Sequence, residues 1–113
     1  MSEEKDLFNA IIDGDAPGNV ILKDDQKQIA LIECIEPEAA VHWLAVPYEQ
    51  GIGTEALERD NRERFLELVD FAITHTKSLA DEYPVLDNGF SIKFHVGSFE
   101  TVPHPKLHIL STE

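Results

Sequence analysis

Cysteine is almost missing: Cys34 is the only one in 113 residues, so no internal disulfide can form, which fits a reducing compartment. Positive charge is scarce as well. Nine Lys and Arg stand against 22 Asp and Glu, a formal net charge of −13. A surface that acidic repels phosphate backbones and argues against duplex nucleic acid as a partner, while one local cationic pocket can still draw in a small nucleotide. Long apolar runs are lacking too. No stretch approaches the ~20 residues of a membrane helix, and the opening MSEEKDLF is acidic and polar, unlike a secretory signal. Together these absences predict a cytoplasmic protein with no membrane partner. Neither an internal repeat, a low-complexity block nor a linker interrupts the chain.

What is present is ordinary for a globular protein, with 42% hydrophobic and 27% charged residues. The length predicts one domain over residues 1–113, built on a single core. Phe8, Ile11 and Ile12 fall on one helical stripe that Gly14 and Pro17 end. NVILKD and QIALIECI, separated by the polar DDQK, read as a hairpin. VHWLAVPY, residues 41–48, is a third strand. Residues 60–84 carry the strongest helical pattern, with Phe65, Leu68, Val69, Ala72, Ile73, Thr76 and Leu79 at spacings of three and four. Asp60 and Glu63 resemble a capping box there, and Pro84 a stop. FSIKFHVG alternates as a strand, and a last strand runs through TVPHPKLHIL. The order predicts an α+β fold: an antiparallel sheet of about five strands, one long helix and a short N-terminal helix.

In that last strand His104, Lys106 and His108 share a face, since alternate residues point the same way. At roughly 3.3 Å per residue the two histidines stand about 13 Å apart, too far for one metal ion. No metal or cofactor is therefore expected. Imidazole, ammonium and imidazole in a line suit an extended anion such as a phosphate ester. The competing reading is a solvated, idle face on an edge strand, which Pro105 favours because it lacks a ladder donor.

The same stretch resembles the signature of the histidine triad (HIT) nucleotide-binding family, in which three histidines alternate with apolar residues. EPEAAVHWLAVP is similar to the family's middle strand, which ends in Val-Pro or Ile-Pro. FHVGSFETVPH resembles the branch in which Phe-His lies nine residues ahead of the first triad histidine, as in phosphoramidase-like and some aprataxin-like members. The resemblance implies a HIT-like fold, a two-fold homodimer with the middle strand and long helix at its interface, and a small-molecule nucleotide as partner. It gives His104, Lys106 and His108 the triad positions, with His104 orienting its neighbours and His108 contacting the phosphate. His42 is then the histidine bonded to the triad, Thr101 a hydroxyl near the leaving group, and His95 the branch's own histidine at the phosphate end.

Several positions depart from the family's pattern, among them YEQ after Val46-Pro47, which replaces the usual basic residues. Lys106 stands where the family has its nucleophilic imidazole, and an amine with a reference pKa around 10.4 has no free lone pair near pH 7. Cys34 replaces the aspartate that binds ribose hydroxyls, and a thiol is a weak hydrogen-bond partner. Strand alternation gives Glu36 the facing of Cys34 and Glu33 the opposite one. Pro105 removes a ladder donor beside the site. The expectation is a divergent HIT-fold protein that binds a purine nucleotide or phosphate ester with weak or lost hydrolysis. The alternatives are an active nucleoside phosphoramidase or dinucleotide hydrolase, and a catalytically empty dimeric interaction module. Trp43 is expected in the core or at the dimer interface, and His75 exposed.

Overall fold

The computed structural model describes residues 5–112. Helix α1 (Leu7–Asp13) begins at Asp6, whose side chain accepts from the Asn9 amide, and ends at Gly14 with φ 83°. Only glycine enters that left-handed conformation without a Cβ penalty, so the helix stops where the sequence said it should. The hairpin of β1 (Val20–Asp24) and β2 (Ile29–Glu33) follows, then β3 (Val41–Pro47). After α2 (Thr54–Asp60) and α3 (Arg62–Ser78) come two short strands, β4 (Ser91–Lys93) and β5 (Leu107–Ser111). The sheet is antiparallel, in the order β1-β2-β3-β5-β4.

Alternation along β3 divides the interior. Trp43 and Ala45 join Leu68, Phe71 and Ile109 in the larger core beneath α3. Leu44 and Val46 join Ile11, Ile12 and Ile32 in a smaller core beneath α1. Trp43 is buried and meets the Tyr83 ring edge-on at 4.9 Å, so it is a core residue. His75 is half-buried, with its ring 4.2 Å from that of Phe71.

Four local expectations are corrected. The helical pattern of residues 60–84 is two helices, broken at Asn61. It is Asn61, not Asp60, that caps α3 by accepting from the Arg64 amide, because an asparagine amide competes well for a first-turn donor. Helix α3 ends at Ser78, and Pro84 instead opens a short 3-10 turn over Pro84–Asn88. Strand β4 keeps only three residues, because Phe94 turns to pack edge-on against Phe65 on α3, 5.3 Å away. The last strand begins at Leu107, so Pro105 costs no ladder donor. Nor is β5 an edge: β3 and β4 flank it. Likewise β3 is paired on both edges, so a sheet shared by two copies would have to grow from β1 or β4 rather than from the middle strand.

Candidate functional site

A cavity of about 470 Å³ opens between α1, the end of β2 and the segment that leads into β5. Phe8, Ile11, Ile32 and Leu44 form its apolar floor and wall. Its polar lining includes Lys106, His108, His95 and Thr101, with Cys34, Glu33 and Glu36 also on the lining. Strand β2 ends at Glu33, so strict alternation fails there and both flanking glutamates reach the cavity. The Glu33 carboxylate is bonded to Asn19 Nδ2 at 2.9 Å. Cys34 donates weakly to the Glu36 carbonyl at 3.6 Å.

His108 and His42 face each other across neighbouring strands, Nδ1 to Nε2 at 3.0 Å. The direction of that bond can be worked out. The Glu38 backbone N–H donates to His42 Nδ1 at 3.1 Å, so that nitrogen holds no proton. Burial lowers the His42 pKa, with Lys93 lowering it further and Glu38 opposing, so the ring is neutral at pH 7 and its proton sits on Nε2. It donates to His108 Nδ1, which leaves His108 with Nε2–H as its only donor on a ring that lines the cavity. Burial first, then the neighbouring His42, His95, Lys106 and Lys93, push the His108 pKa down to about 4. His95 stands beside it, ring centroids 5.0 Å apart.

The sign of the resulting pH effect is fixed. With a folded value near 4 and a reference near 6.5, the unfolded chain binds more protons between those limits. Stability is therefore lost as the pH falls from 6.5 towards 4. Urea midpoints at pH 7 and pH 5 test this: His108→Gln is expected to show a smaller fall than wild type, and an equal fall would contradict it.

Lys106 is held tightly. Its backbone N–H donates to the Thr54 hydroxyl at 2.9 Å, and that hydroxyl donates to the Lys106 carbonyl at 3.1 Å. The Thr54 amide in turn donates to Glu100, whose carboxylate lies where a Cβ on Gly53 would be. Lys106 Nζ donates to the carbonyls of His104 at 2.8 Å and Val102 at 3.4 Å, and sits 5.0 Å from the Phe8 ring centre. Two carbonyls and a π-face all favour the ammonium form. Burial lowers the Lys106 pKa, against the opposing charges of Glu100 and Asp6. The amine thus has one N–H left for a ligand.

His104 behaves differently. It precedes β5, lies completely buried and does not line the cavity. Its ring nitrogens meet Asp6 Oδ2 at 2.5 Å and the Pro47 carbonyl at 2.7 Å. The expectation that three side chains face one hollow holds for Lys106 and His108 only, because the chain bends at 102–104 before the ladder begins. Thr54, Phe8 and Asp6 were not singled out for the site from the sequence. The Gly51-Ile-Gly-Thr54 run before α2 was the available signal for Thr54.

Residues 5–113 match the family described as scavenger mRNA decapping enzyme C-term binding. The chain belongs to this family, and its fold is that of the histidine triad proteins. A histidine triad protein from Clostridium difficile is similar at 23% identity, with 100% of this chain and 95% of that one covered and a TM-score of 0.78. A HIT family hydrolase from Clostridium thermocellum gives 21%, 99% and 94%, with a TM-score of 0.77. A HIT family hydrolase from Legionella pneumophila gives 29%, 95% and 92%, with a TM-score of 0.73. In this fold an ammonium, Lys106, occupies the middle position of the HPKLH run. Among the described residues no cluster of His, Cys, Asp or Glu could hold a metal ion, and no helix is long and apolar enough to cross a membrane.

Proposed function

We propose that this histidine triad protein binds a purine nucleotide or related phosphate ester and turns it over weakly or not at all. The carrying observation is the Lys106 ammonium, already donating to two carbonyls and lining the same cavity as a neutral His108 whose proton is on Nε2. Two donors lining one largely apolar cavity suit a phosphate whose attached base lies against Ile11, Ile32 and Leu44. A group that attacks phosphorus needs a lone pair, and each contact made by Lys106 Nζ draws on its protons instead. Thr101 and His95 border the same corner, and Cys34 with Glu36 the sugar end.

The lowered Lys106 pKa favours a second reading, a nucleotidyl–lysine intermediate in an active phosphoramidase. Calorimetric titration of AMP and GMP, with an adenosine phosphoramidate assay alongside, separates the two. Saturable binding with turnover at background is expected. Turnover well above background would establish the enzyme instead, and silence in both assays would leave an interaction module with an empty pocket.

A further inference from the structure

Beside the cavity lies a cluster that anion binding does not explain. A carbonyl oxygen can only accept, so the Pro47 contact puts a proton on Nε2 of His104. An ionised Asp6 carboxylate accepts as well, and would put a second proton on Nδ1. A ring that donates at both nitrogens is an imidazolium. It is fully buried, and Asp6 is its counter-ion, with the Glu49 carboxyl also within reach of its charge.

Asp6 does more than balance that charge. Its other oxygen caps α1 through the Asn9 amide at 2.9 Å, and its own amide donates to Gln50 Oε1 at 2.9 Å. Asn9 Nδ2 reaches the Tyr48 carbonyl at 2.9 Å. The first turn of α1 is thereby fastened to the chain just after β3. One residue on from Asp6, Leu7 and then Phe8 form part of the cavity wall. The Phe8 ring stands between the His104 ring, 5.1 Å away, and Lys106 Nζ at 5.0 Å. His104 itself offers Lys106 its carbonyl. Moving His104 therefore moves both the wall and the ammonium.

We propose that Asp6 is a positioning residue: through the buried His104 imidazolium it latches α1 to the end of β3, and the latch holds Lys106 and the cavity wall in place for an anion. The part concerning the anion rests on the function proposed above. The latch itself does not.

Asp6→Asn separates charge from capping. Asparagine caps a helix as well as aspartate does, but its amide group donates to Nδ1 and returns His104 to a neutral ring. Nitrogen-15 NMR at pH 7 is expected to show both His104 nitrogens protonated in wild type, and Nδ1 unprotonated in Asp6→Asn. Amide exchange over Ala10–Asp13 is expected to accelerate in the variant while β2 and β3 stay protected, which shows the fold intact. AMP affinity is expected to fall by about tenfold, the scale of one charge-assisted hydrogen bond. An unprotonated Nδ1 in wild type would overturn the charged latch. Unchanged AMP affinity in a variant whose NMR and exchange do change would overturn the positioning role. If AMP fails to bind wild type, the anion reading falls, and the NMR and exchange results still uphold or overturn the latch.

Discussion

Arg64→Ala is expected to lower the unfolding free energy by about 3 kcal/mol, the cost of stripping one partner from a largely buried ion pair. The Arg64 side chain is 13% exposed, and its contacts tie three segments together. Nε and Nη2 grip the Glu49 carboxylate at 2.7 and 2.9 Å, after β3. Nη1 and Nη2 donate to the carbonyls of Lys27 and Gln28 in the β1–β2 turn, both at 2.8 Å, and Nη1 also reaches Glu67. Gln28 has φ 58°, a left-handed conformation unusual for a residue other than glycine. Its carbonyl is pinned by the Tyr48 amide as well as by Arg64. Burial alone would push the Glu49 carboxyl up, yet Arg64 holds it below the usual carboxylate range. Without the guanidinium, that carboxylate and the Lys27 carbonyl lose Arg64 together, and the Gln28 carbonyl keeps only the Tyr48 amide. For a chain of this size the melting temperature should drop by about 12 °C. A loss under about 1 kcal/mol in urea unfolding would place Arg64 among ordinary surface ion pairs.

Lys106→Ala is expected to weaken AMP binding by between about tenfold and a hundredfold, since a hydrogen bond to a charged group contributes about 1.5–3 kcal/mol. Two losses add here. A bound phosphate would lose the one Lys or Arg side chain on the cavity lining among the described residues, and the carbonyls of Val102 and His104 lose the ammonium that ties their segment to β5. Calorimetry on both proteins measures the effect. If AMP binds the variant as tightly as wild type, the phosphate does not depend on Lys106, and the clamp is wrong.

How legible all this was in the sequence depended on how local its causes were. The period of Phe8, Ile11 and Ile12 with Gly14 beyond it was enough for α1, and the alternation of VHWLAVP was enough for β3. Residue facing survived even where pairing did not: His95 reaches the cavity although β4 stops at Lys93. The bend at 102–104 was not legible, because its causes are distant. Asp6 and Pro47 hold His104, and Thr54 takes the Lys106 backbone groups that a strand ladder would otherwise use. For the same reason Pro105, read as removing a ladder donor beside the site, lies outside the ladder. The break at Asn61 was hidden by the strong apolar period that follows it. Glu33, read as facing away, also lines the cavity, because it stands at the very end of β2.

The proposed function reduces to where a bound phosphate would sit. A crystal structure of the protein with AMP measures this directly. The phosphate oxygens are expected within about 3 Å of both Lys106 Nζ and His108 Nε2, with the base against Ile11, Ile32 and Leu44. AMP seated with its phosphate turned away from both groups would contradict the clamp.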